Sequence, residues 1–231
     1  MTIHCLQHDP EEGPGGIAEW AEARGVAIRA AHLYRRDPEP AFAAGDWLVV
    51  LGGGMNVYET NRFPFLDVER RIIRESIDAG RVVLGICLGS QLLADVLGGP
   101  VTRNAEPEIG WHTVRKTDEG RESPLFAGFP DEAEVFQWHG DTWALPPGAV
   151  RVMGSEGCAN QAFVLGDRTV GIQFHPEMTP GIARAVADAA EESACSGTYV
   201  QPKDEILRDD GRFGRMRGWL WSLLDALARS G

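Results

Sequence analysis

The chain has few cysteines, a deficit of basic residues and no long apolar run, and each shortage excludes a class of protein. Four cysteines (Cys5, Cys87, Cys158 and Cys195) among 231 residues are too few and too scattered for a disulfide scaffold. Asp and Glu number 34 against 22 Lys and Arg, and the net charge of −12 repels nucleic-acid backbones and anionic lipid surfaces. No apolar run approaches the roughly 18 residues of a membrane span, and the first residues do not resemble a secretion signal. We therefore expect a cytoplasmic protein that binds neither nucleic acid nor membranes.

The apolar content is ordinary, because hydrophobic residues make up 43% of the chain and can supply a sizeable core. The length fits one large domain, which we expect to span 1–231 with a helical C-terminal extension at about 180–231. In the first hundred residues, short apolar runs alternate with amphipathic segments, which is typical of parallel strands linked by helices. Strands are predicted at 3–7, 26–30, 47–51 and 82–86, and helices at 17–23, 65–79 and 91–97.

Beyond residue 100 the pattern changes to shorter strand-like pieces, which predict antiparallel strands that extend or flank the sheet. These pieces lie at 111–114, 134–138, 151–155, 161–165 and 169–174. Helix returns after Pro180, and a last helix near 219–228 has an apolar stripe that we expect to dock on the domain. The predicted fold class is therefore α/β, with a central, mostly parallel but mixed sheet flanked by helices.

Cys87 lies between the most apolar predicted strand and a helix-like run, within Gly85-Ile86-Cys87-Leu88-Gly89. A nucleophile on a sharp strand-to-helix turn needs small residues two positions away on each side, and the two glycines meet that need. The helix N-terminus would favour the thiolate, which is the attacking species. The alternative is that Cys87 is only a small buried hydrophobic residue, as we expect for Cys5, Cys158 and Cys195.

A thiolate nucleophile needs a proton carrier, and Phe174-His175-Pro176-Glu177 supplies one at the end of a strand pattern. In an extended segment His175 and Glu177 point the same way, so the carboxylate could hold the imidazole tautomer. A metal site is not expected, since these two residues would need a third ligand. The alternative for this segment is a surface turn without catalytic content.

Leu51-Gly52-Gly53-Gly54 follows the strand predicted at 47–51. Attack on an amide carbonyl creates an oxyanion that needs preorganised N–H donors. The Leu88 amide would be one donor, and the glycine turn could supply a second because no side chain blocks close approach. The alternative is a flexible turn, since the spacing of a nucleotide-binding loop is absent.

Three motifs follow one another along the chain: the glycine loop, then Gly-Ile-Cys-Leu-Gly-Ser-Gln, then Phe-His-Pro-Glu. Together they resemble the motifs of class I glutamine amidotransferases with a triad-type domain. The resemblance covers nearly the whole chain and is strongest to stand-alone domains similar to the amidotransferase part of GMP synthase. It implies a flavodoxin-like α/β fold and no cofactor. Gly54 stands where many members have proline, which predicts a looser loop in this chain.

The resemblance implies a role for each matching residue. Cys87 would be the nucleophile, His175 the general base and acid, and Glu177 its orienting partner. The amides of Gly53 and Leu88 would form the oxyanion hole. The substrate would be held by Gln91 and by main chain near Trp138 and His139, whereas a catalytic role for the His139 side chain is not expected.

The expected reaction is hydrolysis of the glutamine side-chain amide to glutamate and ammonia through a Cys-linked γ-glutamyl thioester. The chain length leaves no space for an ATP-dependent acceptor module, so a separate synthase subunit is an expected partner. Two alternatives stay open. One is a γ-glutamyl peptidase or hydrolase acting on γ-glutamyl peptides or conjugates, and the other is a non-catalytic regulatory subunit.

Overall fold

The computed structural model describes residues 1–189 and 196–230. The strands within this part are β1 (Thr2–Leu6), β2 (Ala27–Ala31), β3 (Trp47–Val50), β4 (Val83–Ile86), β5 (Val101–Lys116), β6 (Glu132–Trp143), β7 (Val150–Ser155), β8 (Ala162–Leu165), β9 (Thr169–Ile172) and β10 (Tyr199–Val200). The helices are α1 (Gly15–Ala23), α2 (Phe65–Asp78), α3 (Leu88–Val96), α4 (Asp118–Glu122), α5 (Pro180–Ala189), α6 (Lys203–Ile206) and α7 (Gly211–Arg229). None of the helices described is both long and apolar enough to cross a membrane.

The strands form one mixed sheet in the order β2-β1-β3-β4-β9-β8-β7-β5-β10, with β6 paired to β5. The first five strands in this order are parallel to one another. From β9 onward, the pairs β9-β8, β8-β7, β7-β5 and β5-β6 are antiparallel, and β10 returns parallel to β5. The α/β fold with a mixed central sheet flanked by helices, predicted from the sequence, is thus confirmed.

The two faces of the parallel strands carry separate apolar clusters, because successive side chains in a strand point to opposite faces. Val49 and Leu84 belong to the cluster that includes residues of α1 and α7. Val50 and Val83 belong to the cluster that includes residues of α2 and α3. Both faces of the strands are therefore covered, as a parallel sheet requires.

The C-terminal helix α7 docks on the domain, which confirms the expectation for its apolar stripe. Four leucines within the helix predicted at 219–228, Leu220, Leu223, Leu224 and Leu227, are fully buried, and the partly buried Trp219 packs against the apolar cluster to which they belong. The helix begins eight residues before the predicted 219, because Phe213 and Met216 continue the same buried face. The Arg24 guanidinium bonds the Asp225 carboxylate at 2.6 Å and links α7 to the end of α1.

The structure differs from the sequence prediction in the second half of the sheet. The strand predicted at 169–174 is antiparallel to β8 but parallel to β4, so it closes the parallel half of the sheet. The segments 111–114 and 134–138 are parts of the long hairpin of β5 and β6. The sequence did not predict the first part of β5, because polar residues and a register shift between Arg103 and Glu108 interrupt its apolar pattern. The two-residue strand β10 was not predicted, and Cys195 lies outside the described residues.

Candidate active site

Cys87 occupies the sharp junction between β4 and α3. Its backbone has φ of 50°, and Arg36 is the one other non-glycine residue in the described ranges with positive φ. A Cβ placed on Gly85 would lie 2.5 Å from the carbonyl oxygen of Gly89, and one on Gly89 would collide with the carbonyl of Val50. The two glycines therefore provide the clearance that the sequence pattern predicts.

Hydrogen bonds fix the backbone of Cys87 in this strained conformation. Its N–H donates to the carbonyl oxygen of Ile172 in β9 at 2.8 Å. Its carbonyl oxygen accepts from the Ser90 hydroxyl at 2.7 Å and from the Gln91 N–H at 3.0 Å. The strain is therefore balanced by the surrounding structure, a combination that is common at functional sites.

His175 and Glu177 follow β9, which neighbours β4 at the same edge of the sheet. The His175 Nδ1 atom lies 2.8 Å from Glu177 Oε1, and both side chains are buried. The His175 N–H donates to the carbonyl of Phe136 at 2.8 Å. The Gly16 N–H at the start of α1 donates to the carbonyl of Glu177, also at 2.8 Å. Two distant parts of the chain thus hold the histidine and its carboxylate in place.

One ring nitrogen and one carboxylate oxygen in this pair have no hydrogen-bond partner. They are the buried atoms His175 Nε2 and Glu177 Oε2. Burial lowers the pKa of His175, but the charges of Glu177 and Cys87 and the hydrogen bond to Glu177 outweigh that effect, so the pKa lies well above its usual value. The raised pKa favours the protonated imidazolium form of His175.

A cavity of about 270 Å³ opens onto Cys87. The Trp138 carbonyl oxygen lies 3.7 Å from the Cys87 sulfur at its wall. Ligand sites for drug-sized molecules start at about 300 Å³, so this cavity suits a molecule of amino-acid size. A larger groove of about 560 Å³, beside α4 and the end of α7, is lined by neither cysteine nor histidine.

The glycine turn lies beside Cys87 and His175. Gly53 lines the cavity with Cys87. A Cβ on Gly52 would lie 2.8 Å from the His175 ring, and a Cβ on Gly53 would lie 2.8 Å from His8 Cβ. Leu88 is the first residue of α3, so its N–H has no partner inside the helix.

Gln91, Trp138 and His139 all line the cavity, but they are held differently. The Gln91 side-chain amide donates to the Asp141 carbonyl and to Gln173 Oε1, each at 3.3 Å. The imidazole of His139 bonds Glu108 at 3.0 Å through Nε2 and the Asp141 carbonyl at 2.9 Å through Nδ1. Both of its nitrogens are therefore occupied.

A second cysteine, histidine and glutamate cluster adjoins the cavity. Cys158, His139 and Glu108 are buried and place ligand-type atoms within 4.8 Å of one another. The Cys158 sulfur lies 3.1 Å from the Thr142 hydroxyl, and the Glu108 carboxylate accepts hydrogen bonds from Ser155 and Gln161. The three groups could offer atoms to a metal, but hydrogen bonds already engage each of them.

Comparison with known proteins identifies the family. The model of the family described as glutamine amidotransferase class-I matches residues 17–187. The chain belongs to the class I glutamine amidotransferases. A glutamine amidotransferase-like protein of Salmonella typhimurium, YfeJ, is 33% identical to this amidotransferase over 98% of the chain and 97% of its own length.

A relative from Methanoculleus marisnigri, named as one subunit of a glutamine-hydrolyzing GMP synthase, is 32% identical over 68% of the chain and 79% of its own length. Among solved structures, a glutamine amidotransferase from Thermotoga maritima superposes with a TM-score of 0.89 at 33% identity, covering 99% of this chain and 98% of its own. These similarities confirm the family resemblance seen in the sequence motifs.

Sequence reasoning missed several charged residues in and near this cavity. Asp141 lines the cavity, and both of its carboxylate oxygens are buried without a hydrogen-bond partner. The Arg103 guanidinium lies 3.7 Å from that carboxylate and is largely exposed. Glu12 lies close to Gly52, and burial raises the pKa of its carboxyl although the charge of His175 opposes the shift. Neither Arg103 nor Glu12 stands in a distinctive local motif; only their position in the fold reveals them.

Proposed function

We propose that this amidotransferase hydrolyses the side-chain amide of glutamine to glutamate and ammonia, with Cys87 as nucleophile, His175 as general acid and base, and Glu177 as the orienting carboxylate. One observation carries the proposal. The His175 ring is held by Glu177 through Nδ1, and its buried Nε2 has no hydrogen-bond partner. The thiol of Cys87, at the strained strand-to-helix junction, is close enough for its charge to act on the ring. Because a proton-transfer group must keep one nitrogen free for the reacting atoms, this arrangement suits acyl transfer.

The reaction would proceed in two balanced steps. The Cys87 thiolate attacks the side-chain carbonyl carbon, and the carbon–nitrogen bond breaks as His175 Nε2 gives its proton to the departing ammonia. Water then attacks the γ-glutamyl thioester while His175 takes up a proton, and the sulfur leaves as thiolate. The oxyanion of each step would accept hydrogen bonds from the amides of Gly53 and Leu88.

The charges along the cavity favour a substrate with the zwitterionic end of an amino acid. Arg103 and Asp141 line the wall with opposite charges 3.7 Å apart, and neither Asp141 carboxylate oxygen has a hydrogen-bond partner. An α-carboxylate and an α-ammonium group are complementary to this pair. Gln91 and the main chain at Trp138 and His139 would contact the same end of the substrate.

The ammonia would be delivered to a separate synthase. Similarity to the relative named as one subunit of a GMP synthase supports this part of the proposal. Ammonia and glutamate release should be measured on glutamine and on a panel of γ-glutamyl peptides, with and without candidate synthases. If the protein prefers γ-glutamyl peptides, its function is that of a γ-glutamyl peptidase and the proposal of glutamine hydrolysis is wrong.

Covalent labelling tests catalysis apart from a synthase. A glutamine-like electrophile such as 6-diazo-5-oxo-norleucine should modify Cys87, and peptide mapping by mass spectrometry would locate the adduct. Failure to label Cys87, together with no release from any γ-glutamyl compound, would favour a non-catalytic role.

A further inference from the structure

A buried histidine outside the proposed triad holds the glycine turn. His8 follows β1, and its Nδ1 atom lies 2.8 Å from the carbonyl oxygen of Gly52. Its Nε2 atom lies 2.7 Å from Glu69 Oε2 on α2. The two side chains are 0% and 1% exposed, so no solvent competes for these hydrogen bonds.

The direction of the bond to Gly52 follows from the chemistry of its partners. A carbonyl oxygen can only accept, so His8 Nδ1 must carry the proton. This holds whether the proton between Nε2 and Glu69 lies on the ring or on the carboxylate. Burial lowers the pKa of His8, but the Glu69 charge and the hydrogen bonds to Glu69 and Gly52 raise it above its usual value.

The planarity of the peptide carries this constraint to the next residue. No cis peptide bond occurs in the described residues, so the Gly52 carbonyl and the Gly53 N–H point in opposite directions. Holding the carbonyl toward His8 therefore turns the Gly53 N–H away from His8. Gly53 itself lines the cavity together with Cys87.

Little else restrains the outer side of the turn. A Cβ on Gly54 would have no atom within 4 Å, so this residue stands in open space. Consecutive glycines also have the widest choice of backbone conformations. Without a partner for the Gly52 carbonyl, the peptide between Gly52 and Gly53 could rotate at low cost.

We propose that His8, held by Glu69, is a positioning residue that orients the Gly52–Gly53 peptide so that the Gly53 N–H faces the substrate carbonyl. The inference rests on the proposed amide hydrolysis, in which this N–H stabilises the oxyanion. A donor fixed before the reaction needs no reorganisation as charge develops, and loss of one such donor costs about 10²–10³-fold in kcat.

The test compares His8→Leu with His8→Asn. Leucine removes the donor, whereas the Asn side-chain nitrogen is attached to Cγ as Nδ1 is and can still donate to Gly52. We expect His8→Leu to lower kcat for glutamine by about 10²-fold with little change in KM, and His8→Asn to recover most of the loss. Thermal melting and circular dichroism would establish that each variant is folded.

Crystal structures of the two variants give a readout that does not depend on activity. The Gly52 carbonyl should leave its wild-type direction in His8→Leu and keep it in His8→Asn. If His8→Leu does not fold, the double variant His8→Leu/Glu69→Met is tested instead, because it also removes the carboxylate that the leucine leaves buried and unpaired.

Each outcome bears on one proposal. An unmoved carbonyl in the leucine variant, or equal loss of kcat in folded leucine and asparagine variants, would overturn the positioning role while leaving amide hydrolysis intact. Lack of activity and labelling in the wild-type protein would instead remove the proposed function, and the carbonyl direction would still decide whether His8 orients the peptide.

Discussion

Among the residues that the structure describes, two clusters of cysteine, histidine and glutamate can be compared, and they differ in how many of their polar atoms lack a hydrogen-bond partner. In the first, formed by Cys87, His175 and Glu177, the buried atoms His175 Nε2 and Glu177 Oε2 have no hydrogen-bond partner. In the second, both nitrogens of His139 and both carboxylate oxygens of Glu108 are engaged. Residue types alone therefore do not identify a reactive site.

The two cysteines differ in the same way. Cys87 adopts a strained backbone conformation at a cavity, next to an imidazole whose pKa is raised well above its usual value. Burial raises the pKa of the Cys158 thiol, and the hydrogen bonds to Thr142 and Asn160 only partly oppose that shift. We infer that the first cluster is built for reaction and the second for holding β5, β6 and the loop after β7 together.

The largest effect is expected from substitution of the proposed nucleophile. Cys87→Ala should lower the rate of glutamine hydrolysis by at least ~10³-fold, as other dismantled triads do. The matched control is Cys158→Ala, assayed for glutamate release under the same conditions. If both variants lost the same share of the rate, Cys87 would be no more reactive than Cys158 and the two clusters would not differ in function.

The next effect concerns the orienting carboxylate. The fold-loss of rate in Glu177→Gln should be about ten times smaller than the fold-loss in Cys87→Ala, because an orienting group is partly dispensable. Glu177 raises the pKa of His175, so its removal should lower that pKa and move the corresponding limb of the pH–rate profile to more acidic pH. An unmoved limb in kcat/KM measured across pH would contradict this electrostatic role.

In the second cluster, the expected loss is in stability. Glu108→Gln should reduce the free energy of unfolding by about 2 kcal/mol, because hydrogen bonds to a buried charged group are lost or weakened. The exposed Glu156→Gln provides the control, with a change of about 0.5 kcal/mol or less. Urea unfolding followed by tryptophan fluorescence measures both, and equal stabilities would mean that Glu108 is not structural.

The smallest effect is expected at Cys158. Cys158→Ala should leave glutamine hydrolysis within about twofold of the wild type and cost about 1 kcal/mol in stability. In the wild-type protein, iodoacetamide should modify Cys87 well before Cys158, because only the thiolate reacts. Peptide mapping at short times separates the two thiols, and faster modification of Cys158 would reverse the assignment.

The sequence by itself determined the local elements of the site. Gly85 and Gly89 on either side of Cys87 predicted a tight strand-to-helix turn, because the steric need for small residues acts within a few positions. Likewise, the two-residue separation of His175 and Glu177 predicted that the carboxylate could hold the ring. The parallel half of the sheet was predictable because buried strands and amphipathic helices have distinct periodicities.

Only the tertiary structure decided which side chains complete the site. Glu69 reaches His8 across 61 positions of sequence, and His139 meets Glu108 across the antiparallel pair of β5 and β6. The pairing of β9 with β4 brings the segment of His175 to the edge where Cys87 stands. Such contacts depend on strand order, register and burial, which arise from packing of the whole chain, so no local pattern encodes them.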